Sequence, residues 1–298
     1  MSDPSFFSFR DVQVLRSLII HENYENSKLS GTGDYIGDGT IFKITPNGAL
    51  TTLYSSCSQY ECPDGAYPEG VLVQSSDGDL YGTTYKGGAN EFQAGAIFKI
   101  TADGTFTTVY SFFCSPSGCW DGVNPQAGLI QASNGDFYGT TTSRGPLYGG
   151  TLAAGTVFRI TPSGKLTTLS GFTCIEHVCP NGTIPEGGLI QATDGNFYGT
   201  TYYNGASDGG TIFQITPSGT LTTLYDFACS ESSCKHGEFP SAALVQASDG
   251  DFYGTTLRGG AGACPQGCGT VFRLSVGLGL LVETQPAAGK AGETNVLR

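Results

Sequence analysis

The sequence predicts an all-β fold, a β-propeller of four-stranded antiparallel blades with about five blade positions. Three observations carry this. The tetrad Tyr-Gly-Thr-Thr begins at Tyr81, Tyr138, Tyr198 and Tyr253, at intervals of 57, 60 and 55 residues. Around it recur, in constant order, a proline before a short apolar run (Pro68, Pro125, Pro185, Pro240) and a phenylalanine in Gly-(Thr/Ala)-(Ile/Val)-Phe (Phe42, Phe98, Phe158, Phe213, Phe272). Of the 298 residues 45 are glycine, about twice the usual share, and Gly, Thr, Ser and Asn are poor helix formers. The glycines do not fall at every third position, which excludes a collagen helix.

One unit shows how each element arises. Strand A is the run Gly128-Leu129-Ile130-Gln131-Ala132. Ser133-Asn134-Gly135-Asp136 follows as a hairpin turn with Asn-Gly at its centre. Strand B is Phe137-Tyr138-Gly139-Thr140-Thr141, and a longer glycine-rich stretch leads from it to strand C, Thr156-Val157-Phe158-Arg159-Ile160. Thr161-Pro162-Ser163-Gly164 puts Pro and Gly where a tight turn wants them. Strand D is Leu166-Thr167-Thr168-Leu169, and a cysteine-bearing loop leads on to the next proline. These runs are rich in β-branched and aromatic residues, as half-buried strands are. Four antiparallel strands per repeat, repeated radially, is the plan of a propeller blade. A β-helix has shorter repeats and lacks the hairpin turns.

Three units are complete, within residues 68–112, 125–170 and 185–227. The first shows only strands C and D, about 39–54. The last shows A, B and C, with 279–282 as its candidate strand D. The domain reading is a degenerate N-terminal segment 1–36 that would complete the first blade, repeats over 37–282, and a tail 283–298. The alternative is an open arc of blades from a truncated chain, because residues 12–35 lack the Tyr-Gly-Thr-Thr mark.

Composition and charge exclude several functions. Twenty-six acidic against fourteen basic residues, net −12, is the wrong balance for nucleic acid. No run of 18 apolar residues offers a membrane span. The first 20 residues show no clear secretion signal, since Gln13 and Arg16 interrupt the apolar stretch. Hydrophobic residues at 39% and aromatics at 11% exclude disorder. No cofactor motif appears, and a monomer is expected.

Ten cysteines form five close pairs: Cys57/Cys62, Cys114/Cys119, Cys174/Cys179, Cys229/Cys234 and Cys264/Cys268. Four pairs share one spacing and one place, between strand D and the next strand A. The favoured reading is five disulfides, an even count paired locally in an oxidising compartment. The rival is zinc, which wants four converging ligands, with His177 and His236 as possible additions.

The pattern Pro-x-x-Gly-Leu-Ile-Gln-Ala-x-(Asp/Asn)-Gly-(Asp/Asn)-Phe-Tyr-Gly-Thr-Thr, then Gly-Thr-Val-Phe-x-Ile-Thr-Pro-Ser-Gly-x-Leu-Thr-Thr-Leu, resembles the tandem GloVer repeat of bacterial proteins over about residues 37–275. The resemblance implies an exported or surface-attached protein and brings no known enzymatic activity or ligand. Val282-Glu283-Thr284-Gln285-Pro286 and Gly289-Lys290-Ala291-Gly292 resemble the opening of an immunoglobulin-like module of the IPT/TIG type, cut short at Arg298.

In an up-down blade the A–B and C–D turns share one face, and the B–C and D–A connections share the other. The first face is all tight turns. The second carries the long loops and every cysteine, and binding residues belong on such loops. Its candidates are Tyr60, Glu91, Phe92, Trp120, Arg144, Tyr148, Glu176, His177, Tyr203, Asp208, Phe239 and Arg258. Exposed aromatics beside small polar groups suit sugar rings or peptides; the bland reading is packing beneath the stapled loops. The leading function is therefore non-enzymatic binding of a polysaccharide or surface protein. The alternatives are a purely structural repeat, and a glycosidase using Glu69 and Glu186, since glycoside hydrolysis needs two placed carboxylates. The Asp-Gly-Asp turns read as turns rather than calcium sites, having too few oxygens for that ion. The recurring Thr-Thr pairs read as sheet packing.

Overall fold

The computed structural model describes residues 39–278 apart from 45–46, 60, 91, 102, 116–117, 146–151, 177, 229–235 and 261–267. Among the described residues every regular element is a strand. The chain divides into two compact units at Gly171/Phe172.

The N-terminal unit begins with a two-stranded sheet of β1 (Thr40–Ile44) and β2 (Leu50–Ser55). A four-stranded sheet follows, in the order β3 (Val73–Gln74), β4 (Leu80–Thr84), β5 (Ala96–Ile100), β6 (Phe106–Ser111). The next sheet runs β7 (Ile130–Gln131), β8 (Phe137–Thr141), β9 (Leu152–Ile160), β10 (Leu166–Cys174), and the division between units falls inside β10. The C-terminal unit holds β11 (Ile190–Gln191), β12 (Phe197–Thr201), β13 (Asp208–Ile215) and β14 (Leu221–Ala228) as one sheet. Its other sheet is β15 (Val245–Gln246), β16 (Phe252–Thr255) and β17 (Val271–Leu274). Three of these five sheets are the antiparallel four-stranded blades that the repeat predicts, and the first and last show two and three strands among the described residues. The candidate fourth strand of the last blade, 279–282, and the segments 1–36 and 283–298 lie outside the described residues.

Strand A is shorter than expected, two residues in place of five. The residues ahead of it spend their polar groups on the preceding sheet: Thr83 Oγ1 donates to the Ala127 carbonyl at 2.9 Å, and Thr200 Oγ1 to that of Ala242 at 3.3 Å. Strands C and D run longer in two sheets, where Asp208 reaches register with Ala228. The A–B turn also differs in detail. Ala132 N–H donates to Asp136 O and Gly135 N–H to Ala132 O, both at 2.9 Å. The loop is thus three residues long, and Gly135 takes a positive φ of 85° at its end.

The tetrad explains itself in the packing. Its tyrosine lies against the phenylalanine that opens strand B of the next sheet, Tyr81 on Phe137 at 4.2 Å and Tyr198 on Phe252 at 4.3 Å between centroids. Its glycine makes room for the strand C phenylalanine. A Cβ on Gly139 would stand 2.7 Å from the Phe158 ring, and one on Gly199 2.6 Å from that of Phe213. In the last sheet Val271 is 78% exposed, whereas its equivalents Ile97 and Val157 are 0% exposed. The described residues leave that face of the C-terminal unit uncovered.

The turn side is a set of ion-paired hairpins. The first Asp or Asn of the A–B turn caps the backbone, as Asp77 Oδ1 does for Asp79 N–H at 3.1 Å. The second acid takes the strand C cation: Lys99 to Asp79 at 2.9 Å, Arg159 to Asp136 at 3.7 Å, and Arg273 to Asp251. Both acids of these turns are therefore occupied by their own hairpin.

Candidate functional site on the stapled loops

Cys57–Cys62, Cys114–Cys119 and Cys174–Cys179 are disulfides, with Cα atoms 4.1, 4.0 and 4.1 Å apart. Each sulfur is spent on its neighbour, so these three pairs cannot ligate zinc. Cys268 is also disulfide-bonded. Cys229, Cys234 and Cys264 lie outside the described residues. Within two staples the tip closes on itself by paired backbone hydrogen bonds, Ser115 with Gly118 and Ile175 with Val178, all at 2.8–2.9 Å.

A hydroxyl relay ties the D–A loop to its sheet in three units. Thr156 Oγ1 donates to the Asp121 carbonyl at 2.9 Å, two residues past Cys119. The Thr156 N–H donates to Thr141 Oγ1 at 3.1 Å, and the two hydroxyls lie 2.8 Å apart. Since Thr156 has spent its one proton on Asp121, Thr141 is the donor between them. Thr201, Thr211 and the Asn181 carbonyl repeat this arrangement; Thr256, Thr270 and the His236 carbonyl share its contacts, with Thr256 Oγ1 also donating to Arg258 O at 2.9 Å. Where Ala96 replaces the second threonine, Thr84 accepts the Ala96 N–H and donates to Lys86 O. The recurring threonines therefore hold the loops by hydrogen bonds in addition to packing in the sheet. Gly122 lets the loop come this close: at φ +79°, a Cβ there would meet Thr141 Oγ1 at 1.9 Å. The strand D tyrosines add a clamp. Tyr110 donates its phenol to Asp121 and Tyr54 to Asp64, and burial first, then that carboxylate, pushes both phenol pKa values up.

The D–A and B–C connections lie side by side, as the strand directions require. Antiparallel bridges join Ala66 to Lys86, Val123 to Ser143, Thr183 to Tyr203 and Glu238 to Arg258. The residue before each recurring proline sits at positive φ: Tyr67 58°, Asn124 61°, Ile184 59°, Phe239 62°. Bulky residues rarely adopt that conformation, least of all before proline, and such outliers gather at functional sites. The surrounding bridges hold it in place.

Two groups of predicted residues come together on this framework. In the C-terminal unit Tyr203 and Phe239 meet edge to face at 5.1 Å, with Arg258 5.1 Å from the Phe239 ring. Tyr202, which sequence reasoning did not single out, completes the cluster, 4.4 Å from Tyr203 and 5.3 Å from Phe239. Tyr203 is 41% exposed. Burial and then the neighbouring Tyr203 and Glu186 raise the Tyr202 phenol pKa. In the N-terminal unit Phe92, Gln93, Ala94, Cys114, Val123, Asn124 and Arg144 line a cleft of about 180 Å³.

The other candidates stand apart from these groups. Trp120 is exposed beside Cys119 but does not line the cleft, and Asp208 is exposed at the start of β13. Glu176 is exposed at the tip of the Cys174–Cys179 staple. Tyr60, Glu91, Tyr148 and His177 lie outside the described residues. Glu69 and Glu186 are half-buried, one in each unit. A signal for Tyr202 was present in the sequence: the position after the tetrad reads Tyr85, Thr142, Tyr202 and Leu257 from unit to unit.

The fold and the loop side define a repeat scaffold of propeller blades with disulfide-stapled connections. The chain belongs to the Gloeobacter/Verrucomicrobia repeat family, whose model matches residues 25–235 and 147–296. No curated protein matches it. Among solved structures it is similar to a luciferin-regenerating enzyme, at 13% identity and a TM-score of 0.48, over 82% of this chain and 73% of that one. It is also similar to an α-L-arabinofuranosidase of Clostridium thermocellum, at 12% and 0.41 over 84% and 82%. A β-fructofuranosidase of Bombyx mori gives 15% and 0.40 over 79% and 53%. Likeness at this level transfers no activity. No helix among the described residues is long and apolar enough to cross a membrane.

Proposed function

We propose that the protein is an exported, surface-displayed scaffold that binds polysaccharide through its stapled loops without chemistry of its own. The single observation that carries this is the partly exposed cluster of Tyr202, Tyr203 and Phe239 with Arg258 beside it. Aromatic faces carry negative potential and accept the C–H-bearing face of a sugar ring, and their polar tips stay wet. Because strained, bridge-held backbone carries the cluster, it is pre-organised and little ordering is lost on binding. Disulfides persist in oxidising compartments, which supports export.

A glycan array with purified protein tests the reading, followed by calorimetry on any neutral oligosaccharide that binds. Y203A and F239A are expected to weaken binding about tenfold each, the equivalent of about 1.4 kcal/mol. Binding that survives both substitutions with the fold intact would refute the site. A flat array would favour a purely structural repeat.

A further inference from the structure

The cleft in the N-terminal unit departs from the other units at one lining residue. After each tetrad the third residue is Gly87, Arg144, Asn204 or Gly259, and all four have positive φ, at 74°, 57°, 61° and 91°. Glycine is the undemanding choice for that backbone. One unit places an arginine there instead, and two further non-glycine residues at positive φ, Gln93 at 46° and Asn124 at 61°, line the same cleft. The Arg144 backbone is fixed, since its carbonyl accepts the Gly155 N–H at 2.9 Å. Its guanidinium leans on the staple, Nη1 lying 3.6 Å from Cys119 Sγ, a longer contact than the 3.0 Å from Asn204 Nδ2 to Cys179 Sγ at the equivalent place in the next unit. Sulfur is a weak acceptor. Among the described residues no carboxylate lies within 4 Å of Arg144, whereas Lys99, Arg159 and Arg273 each have one.

We infer that this cleft binds a single uronic-acid residue of an acidic polysaccharide, its carboxylate on Arg144 and its ring against Phe92. A guanidinium presents a planar fork that matches a carboxylate bidentately. Phe92 lines the cleft and is 48% exposed, leaving apolar surface for the sugar. About 180 Å³ falls below the roughly 300–1,000 Å³ of sites for drug-sized ligands, so the cleft takes one small unit rather than a chain. The net charge of −12 repels a dense polyanion, so the glycan recognised carries its uronates spaced among neutral sugars. This deepens the polysaccharide reading but uses different residues in a different unit.

The probes are glucuronic acid β-linked to a neutral disaccharide, its methyl ester, and the dipeptide N-acetyl-Phe-Glu-amide, each titrated into the full chain by NMR or calorimetry. The uronate is expected to bind at least tenfold more tightly than its ester and to weaken as salt rises. R144G supplies the residue found in two other units. It should keep the unfolding midpoint or raise it, while weakening uronate binding tenfold or more. F92A should weaken the uronate and the ester alike. Equal binding of acid and ester, loss of stability in R144G with binding retained, or preference for the dipeptide would each overturn the inference. Neutral-glycan binding lost in Y203A but untouched by R144G separates the two sites. Loss of uronate binding alone refutes this cleft and leaves the first reading standing.

Discussion

Replacing Thr141 by valine tests the hydroxyl relay directly. The side chains are nearly isosteric, so the cavity term is small and the change is one of hydrogen bonding. Thr141 and Thr156 are both 0% exposed. The substitution leaves the Thr156 N–H without its acceptor and removes the donor to Thr156 Oγ1. The contact from Thr156 to Asp121 O survives. One stranded buried N–H costs about 1–3 kcal/mol, and the lost neutral hydrogen bond about 1 more. A loss of about 2–4 kcal/mol is therefore expected. With a urea m-value of about 3 kcal/mol/M, the midpoint falls by about 1 M. Trp120 is the chain's single tryptophan and precedes Asp121, so its fluorescence reports on the loop that the relay holds. The double variant T141V/T156V replaces both hydroxyls, and its cost should be well below the sum of the two single costs, because the pair acts as a unit. A midpoint within 0.2 M of the parent for T141V, or additive losses, would refute the relay.

Other outcomes follow from the same geometry. G122A should destabilise more than T141V, since it adds a Cβ 1.9 Å from Thr141 Oγ1 at φ +79°, and unfolding in urea checks it. Reducing the three described staples should lower stability by up to about 2 kcal/mol each, the chain-entropy value for a six-residue loop, seen as a lower midpoint with reductant. Burial, then Asp194, pushes the Tyr198 phenol pKa up to about 12 from 10. The neutral phenol is thus favoured in the folded state, a contribution fully present below pH 10 and lost as pH rises through about 12. Tyrosinate absorbance should show Tyr198 among the late-titrating phenols, and Y198F should reduce the late component by one tyrosine while leaving that of Tyr110.

Much of this was legible from the repeat. Pro-Ser-Gly and Asn-Gly located the turns, and the β-branched and aromatic residues of Phe137–Thr141 located strand B to the residue. Cysteine spacing located the staples, because a covalent constraint is written in the residue itself. What escaped was non-local. Strand A is shorter than its apolar run, and just ahead of that run the Ala127 carbonyl is taken by Thr83, a bond across 44 residues. The strained backbone before each proline is invisible locally, since sequence rules place such residues in extended conformations. Tyr202 joined Tyr203 and Phe239 only when the bridge from Thr183 to Tyr203 set the two connections side by side.

The staple tip carries an engineering consequence. Ser115 and Gly118 satisfy each other's backbone, the flanking cysteines close the ring covalently, and the relay grips the chain only beyond the second cysteine. Ile175 and Val178 occupy the same two places in another staple and are largely exposed, at 63% and 62%. In these two staples the backbone pair at the tip is closed within the staple itself, whereas in the first staple Ser58 bonds Asp64. The Cys114–Cys119 and Cys174–Cys179 staples thus amount to tetrapeptide sockets, into which foreign recognition sequences can be grafted one blade at a time.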